Sequence, residues 1–263
     1  MKTLVFLLAA LALMMACKSA QTSDDSVAVE QVVAQTPAKV FSAEATAVLA
    51  KALNAHGGDR YEKAHYQFVF RGKKYTFKNE GSEFRYEVVR EKNGVTTVDL
   101  MDKGVLTRTV DGKKLDLTEK EYNGISESLN SVIYFATLPH KLTDASVNLA
   151  HGGRVSINDG SYEILQVTFD QEGGGVDHDD QYRYWVNSET GRIDYLAYNY
   201  QTGKGGVRFR AAYNPRIVEG ILFQDYVNYK APVGTPLDSL PLFFEQGDLE
   251  KLSVIDTENV IAL

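Results

Sequence analysis

HYQFVFRGKKYTFKNEGSEFRYEVV, residues 65–89, is the stretch that decides the fold. Its apolar residues are mostly aromatic and recur at every second position, which is the period of a β-strand rather than of a helix. Asn79-Glu80-Gly81 interrupts the alternation with residues typical of turns. The stretch therefore predicts consecutive antiparallel strands joined by short turns.

The same pattern continues past further hairpin signals. Asn93-Gly94 and Asp111-Gly112 supply the positive φ angles that tight hairpin turns need. Alternation resumes around Asn158-Asp159-Gly160 and continues to Tyr229, with the last turn expected to start at Asn214-Pro215. This gives about nine or ten strands in all. The tail from residue 231 to 263 carries an apolar run that is too short to assign.

Two segments have helical periodicity instead. Residues 42–58 carry apolar residues at spacings of three and four, with Ser42 as the N-cap and a glycine pair at the end. Thr118 and Glu121 form a capping box ahead of a helix over 119–135. We therefore expect an α+β fold in a single domain, residues 42–263. A large curved antiparallel β-sheet forms an open half-barrel, and an N-terminal helix and a mid-chain helix cover its concave face.

The N-terminus has the form of a secretory signal. Met1-Lys2 gives a basic start, and residues 4–16 form an apolar run that is too short to span a bilayer. The end of the run resembles the lipobox of bacterial lipoproteins, in which the following cysteine is acylated. We expect a signal peptide at 1–16 and a lipidated Cys17 with a tether at 17–41. The alternative is an ordinary secretory signal that happens to contain a cysteine.

Net charge and cysteine content limit the kinds of partner that the protein can bind. The 263-residue chain has a net charge of −7, which argues against nucleic acid as a partner. Cys17 is its only cysteine. An acylated Cys17 would tie the protein to a membrane. The expected location is the cell envelope, lipid-anchored in the outer membrane, on the periplasmic side or the cell surface.

Three motif groups resemble an uncharacterised family of Gram-negative outer-membrane lipoproteins. They are Ala55-His56-Gly57-Gly58, then Tyr184-Trp185-Val186-Asn187 with Thr190-Gly191-Arg192-Ile193-Asp194, and Tyr213-Asn214 with Val218-Glu219-Gly220-Ile221. The chain from about 42 to 230 is also similar to the lipoprotein-localisation-factor (LolA-like) half-barrel superfamily. That resemblance implies a concave face that holds acyl chains, and it brings no catalytic residues.

Aromatic residues on the predicted strands form a candidate groove for a lipid or another hydrophobic small molecule. Tyrosine is informative in this position, because it combines an apolar body with a polar tip. A packed core beneath the helices explains the same pattern equally well. The candidate ligand-binding residues are Tyr66, Phe68, Phe70, Tyr75, Phe77, Phe84, Tyr86, Tyr182, Tyr184, Phe209 and Tyr213.

The sequence contains few signs of a catalytic site or a metal site. The acidic, glycine-rich loop at 170–180 offers Asp177, Asp179 and Asp180 as weak Ca²⁺ ligands, but a solvated hairpin loop accounts for them as well. The chain has no H-E-x-x-H or G-x-S-x-G motif. We expect no metal, no cofactor and no catalytic residue.

Three functions fit these observations. The first is a membrane-anchored lipoprotein that binds a lipid or acyl chain without catalysis. The second is a structural or interaction lipoprotein of the outer membrane without a small ligand, whose protein partner the sequence does not identify. The third is a hydrolase of the envelope.

Overall fold

Both predicted helices are present in the computed structural model, which describes residues 41–172 and 179–263. Helix α1 (Ala43–His56) follows Ser42, whose hydroxyl accepts a hydrogen bond from the backbone N–H of Ala45. Helix α2 (Glu119–Ala136) begins with the predicted capping box. A third, short helix, α3 (Leu240–Gln246), was not predicted. The predicted signal peptide, Cys17 and the tether up to residue 40 lie outside the described residues.

Fourteen strands form two antiparallel sheets over the described residues. The first sheet contains β1 (His65–Phe70), β2 (Lys73–Glu80), β3 (Glu83–Lys92), β4 (Val95–Asp102), β5 (Val105–Val110), β6 (Lys113–Leu115) and β14 (Glu258–Ala262). The second sheet contains β7 (Val147–Ile157), β8 (Gly160–Phe169), β9 (Gln181–Asn187), β10 (Ile193–Tyr200), β11 (Gly206–Val218), β12 (Ile221–Ala231) and β13 (Glu250–Ile255). Neither sheet closes on itself, which confirms the predicted α+β class and its open antiparallel architecture.

The chain passes between the two sheets twice. It leaves the first sheet after β6, runs through α2 and enters the second sheet at β7. It returns at a crossing near the C-terminus, where β13 forms one edge of the second sheet and β14, which follows it after Asp256-Thr257, forms one edge of the first. The sequence predicted one continuous sheet, whereas the structure has two sheets of seven strands each.

Helices cover both sheets. Ala45, Leu49 and Ala52 of α1 pack on the second sheet, and α3 packs on its opposite face. Leu129 and Ile133 of α2 pack against the aromatic core of the first sheet. Burial of a leucine or isoleucine side chain such as Leu129 or Ile133 stabilises the fold by about 1.5–3 kcal/mol.

Two sequence assignments change near the C-terminus. Asn214-Pro215 was expected to start a turn, but it forms a bulge within β11, and the strand continues to Val218. The unassigned tail supplies α3, β13 and β14. These last two strands complete the sheets and create the crossing beside which the candidate site lies.

Candidate functional site

A cleft of about 250 Å³ lies where α2 passes over the junction of the two sheets. We call it the α2 cleft. Five elements line it, and the crossing between β13 and β14 contributes as well. The lining residues are Phe68, Phe70, Arg71, Ser128, Ser131, Val132, Phe135, Ala136, Arg210, Gln224, Tyr226, Asn228, Ile255 and Thr257.

A tyrosine near each end fastens α2 across the cleft. The hydroxyl of Tyr122 accepts a hydrogen bond from the backbone N–H of Leu106 on β5, in the first sheet. The hydroxyls of Tyr134 and Tyr184 are 2.6 Å apart and hydrogen-bonded, which ties the other end to β9 in the second sheet. Burial raises the pKa of both Tyr134 and Tyr184. The Tyr122 hydroxyl also donates a hydrogen bond to the carbonyl of Gly104, so a tyrosine hydroxyl ties α2 to each sheet.

Arg210 is the buried cation of the cleft. Its side chain lies on β11, and the residue is only 8% exposed. The guanidinium carbon lies 3.8 Å from the centre of the Phe135 ring, and Nη2 donates a hydrogen bond to the hydroxyl of Tyr198 at 2.9 Å. Nε–H has no hydrogen-bond partner among the described residues. A buried donor on a charged group without a partner is costly, so this group calls for an explanation.

Asn228 stands opposite Arg210. The two residues are register partners across β11 and β12, and Asn228 is 7% exposed. Its amide nitrogen donates to Ser253 at 3.3 Å, whereas Oδ1 has no partner within the described part of the chain. The described lining contains two arginines and no aspartate or glutamate. The cleft therefore combines apolar walls with an uncompensated positive charge and free hydrogen-bonding capacity.

A second, smaller cleft of about 200 Å³ borders the N-terminal half of α2 and, unlike the α2 cleft, has a carboxylate beside its arginines. Asp99 on β4 is fully buried there. It accepts two hydrogen bonds from Arg108, at 2.5 and 2.9 Å, and forms an ion pair with Arg90 at 3.1 Å. Hydrogen bonding to Asp99 raises the pKa of Arg108. Both arginines already pair with this carboxylate, so this cluster is satisfied without a ligand.

The crossing below the α2 cleft is fixed by Asp225. Its Oδ1 accepts hydrogen bonds from the backbone N–H and the hydroxyl of Thr257, at 2.8 and 2.9 Å, and from Arg216 at 3.1 Å. Its Oδ2 accepts a hydrogen bond from Asn214 at 2.7 Å. The bulge at Asn214-Pro215 places both Asn214 and Arg216 within reach of this carboxylate. The network holds the chain where it passes from one sheet to the other.

Ten of the eleven aromatic residues predicted to line a groove are distributed over three packed clusters, and Tyr213 belongs to none of them. Seven of them are buried, three are half-buried, and Tyr213 is 37% exposed. Phe68 and Phe70 are the two that also line the α2 cleft. The cluster of the first sheet holds Tyr66, Phe68, Phe70, Tyr75, Phe77, Phe84 and Tyr86; that of α1 holds Tyr182 and Tyr184; and that of α3 holds Phe209. A ligand-binding role for the full set stays a prediction.

The weak metal candidates are only partly described. Asp177 lies outside the described residues, Asp179 is exposed, and Asp180 is buried. No group of three or more possible metal ligands occurs within residues 41–172 and 179–263. Over the same ranges, none of the helices has the length and hydropathy needed to cross a membrane.

The motifs that carry the family resemblance join α1 to the second sheet. His56 accepts a hydrogen bond from the backbone N–H of Ile193. A Cβ at Gly57, where φ is +133°, would lie 3.0 Å from the Ile221 side chain. A Cβ at Gly191, where φ is +76°, would lie 2.9 Å from the carbonyl oxygen of Lys51. These glycines permit a close approach of backbone segments, so the motifs serve the fold.

Solved structures of low sequence identity resemble this chain. A LolA superfamily protein from Nitrosomonas europaea is 12% identical over 85% of this chain and 94% of its own, with a TM-score of 0.47. A DUF1329 family protein from Desulfovibrio piger is 11% identical over 83% and 92%, with a TM-score of 0.47. An outer-membrane lipoprotein-sorting protein domain from Vibrio parahaemolyticus is 9% identical over 83% and 92%, with a TM-score of 0.46.

No curated protein gives a significant match to this sequence. A family model does match, and it covers residues 32–257, most of the chain. The chain therefore belongs to DUF6503, a family of unknown function.

Proposed function

We propose that this protein is a membrane-anchored lipoprotein that binds a hydrophobic ligand in the α2 cleft and performs no catalysis. The observation that carries the proposal is the cleft itself. Phe68, Phe70, Val132 and Ile255 give it apolar walls, at the junction of two sheets and beneath a helix. Binding pockets are typically concave and mostly apolar, with a few convergent polar groups. Removal of apolar surface from water would drive capture, at about 25 cal/mol per Å².

Helix α2 is the element that would admit the ligand. The cleft volume of about 250 Å³ falls below the roughly 300–1,000 Å³ of pockets for drug-sized molecules. A long acyl chain would therefore require α2 to move outward. The hydrogen bond between Tyr134 and Tyr184 is the contact that such a movement breaks. Breaking this hydrogen bond costs little, because the net contribution of one hydrogen bond to stability is about 1 kcal/mol.

Filling the cleft tests the binding site. Ser131 lines the cleft from the exposed side of α2, whereas Asn130 is exposed and lies outside the lining. The full chain, extracted from membranes in an amphipathic polymer, is treated with organic solvent, and the released lipid is measured by mass spectrometry. Ser131→Trp should lower the co-purifying lipid about ten-fold, because the indole occupies the space. The matched control, Asn130→Trp, should keep it.

An empty solvent extract from the unsubstituted chain would contradict the proposal. That outcome would favour an interaction lipoprotein without a small ligand. Equal losses in Ser131→Trp and Asn130→Trp would show that the substitutions disturb α2 rather than fill a binding site.

The anchor is tested separately. We propose that Cys17 is acylated and holds the protein at the outer membrane of the envelope. Cells that express the full chain are labelled with radioactive palmitate, and the protein is then fractionated. The unsubstituted chain should carry label and sediment with membranes, and Cys17→Ser should do neither, because the acyl chains supply the membrane affinity. An unlabelled native chain would exclude the anchor.

A further inference from the structure

The polar groups of the α2 cleft go beyond what a purely hydrophobic ligand requires. An alkane-like guest would leave Nε–H of Arg210 and Oδ1 of Asn228 buried and without partners. Buried polar groups in proteins are nearly always paired. Their position on facing residues of β11 and β12 places both in one part of the cleft, away from solvent.

The charge of this part of the cleft is positive and uncompensated. Arg210 contacts the ring of Phe135 and the hydroxyl of Tyr198, neither of which carries a negative charge. The described lining offers no carboxylate. In the neighbouring cleft, by contrast, Arg90 and Arg108 both form ion pairs with the buried carboxylate of Asp99. Arg210 lacks such a partner, so an anion from outside the protein would complete it.

The remaining lining suits a hydrocarbon chain. Phe68, Phe70 and Val132 line the same cleft as Arg210. Arg71 also lines it but is exposed, with its guanidinium 5.0 Å from the Phe70 ring centre. The cleft holds roughly eight groups of the size of a water molecule, at about 30 Å³ each. That space fits a compact head group and the first part of a chain.

We propose that the ligand is an anionic amphiphile, whose carboxylate or phosphate binds the guanidinium of Arg210 and whose acyl chain lies against Phe68, Phe70 and Val132. This inference rests on the proposed function and specifies the ligand class. A planar guanidinium with a free Nε–H suits both anions, because each offers oxygens that accept charge-assisted hydrogen bonds. Oδ1 of Asn228 would accept a hydrogen bond from a hydroxyl on the same head group.

Four probes with the same ten-carbon chain test the proposal: decanoate, decyl phosphate, decanol and decyltrimethylammonium. Binding to the delipidated full chain is measured by titration calorimetry. Decanoate or decyl phosphate should bind about ten-fold or more tightly than decanol, and decyltrimethylammonium should bind most weakly. The tighter of the two anions identifies the source of the head group, a fatty acid or a phospholipid. This comparison uses the unsubstituted protein, so it does not depend on any variant folding.

Arg210→Met should abolish the preference for anions and keep the affinity for decanol, because methionine preserves the apolar bulk of the side chain. Arg208→Met is the matched control and should keep the preference, because Arg208 lies on the same strand and also contacts a tyrosine of β10, Tyr200, but is not part of the cleft lining. Equal binding of decanoate, decyl phosphate and decanol would overturn the inference and leave the proposed function standing. Loss of the preference in Arg208→Met but not in Arg210→Met would also overturn it. Failure of all four probes to bind would contradict the proposed function itself.

Discussion

The imidazole of His56 accepts a hydrogen bond from the backbone N–H of Ile193, with 3.1 Å between Nε2 and the amide nitrogen. The bond joins the last residue of α1 to the first residue of β10, across 137 positions of sequence. A ring nitrogen that accepts a hydrogen bond must be unprotonated. Burial, with a further contribution from Arg192, lowers the pKa of His56 to about 4.

This arrangement predicts an acid-sensitive stability. The folded-state pKa of about 4 lies below the unfolded value of about 6.5, so the unfolded chain binds the proton first as pH falls. The contribution is fully present above about pH 6.5 and is lost as pH falls toward 4, by roughly 3 kcal/mol. Urea unfolding between pH 7 and 4.5 should show this loss in the free energy of unfolding. His56→Gln should remove the part of the pH dependence that comes from protonation of the imidazole. An unchanged pH dependence in His56→Gln would contradict the assignment.

The crossing between the sheets gives a second prediction. Asp225→Ala removes the acceptor of Thr257 and Arg216 and should lower the free energy of unfolding by about 3 kcal/mol, as expected when a buried charged pair loses one partner. Chemical denaturation measures the change. Glu258→Ala, an exposed position at the start of β14, is the control and should change stability by less than about 0.5 kcal/mol. Similar losses in both variants would show that Asp225 has no special role.

Hairpins and caps were predictable because their signals are local. Asn93 and Asp111 adopt the positive φ that their turns need, and Thr118 with Glu121 forms the capping box. Asn214-Pro215 misled the prediction, because a bulge and a turn use the same residue types. Strands β13 and β14 were missed because they follow a turn-rich segment and lie at sheet edges, where most of their residues are exposed.

The α2 cleft could not be predicted from the sequence, for a different reason. On β11 the apolar residues Val207 and Phe209 alternate with Arg208 and Arg210, a pattern typical of a sheet with one face in water. Helices cover both faces of the second sheet, so Arg210 is buried. Its position opposite Asn228 depends on strand register, which single-sequence patterns do not fix. The available signal was a charged residue, Arg210, between the apolar residues Phe209 and Ala211 of one strand.

The fastening of α2 yields a third prediction. Tyr134→Phe removes the hydroxyl that pairs with Tyr184 and leaves a buried hydroxyl without its partner, at a cost of about 1–3 kcal/mol. Hydrogen exchange of the amides in the C-terminal half of α2 should become faster. Tyr122→Phe is the matched control at the other end, and its effect should be confined to the N-terminal half. Unaltered exchange in Tyr134→Phe would show that the tyrosine pair does not hold the helix.

Arg210 yields the fourth prediction, which separates a ligand-binding residue from a structural one. A buried charge carries a desolvation cost of several kcal/mol, and ordinary structural residues recover such a cost from their partners. Arg210 recovers part of it from Phe135, where a cation–π contact contributes about 2 kcal/mol, and part from Tyr198. In the delipidated protein, Arg210→Met should therefore leave the free energy of unfolding unchanged or raise it by about 1 kcal/mol. Chemical denaturation with and without decanoate measures both effects. Decanoate should stabilise the unsubstituted chain, because a ligand that binds the folded state raises stability. It should not stabilise Arg210→Met. A loss of about 3 kcal/mol or more in the ligand-free variant would instead make Arg210 a structural residue, with its charge compensated inside the protein.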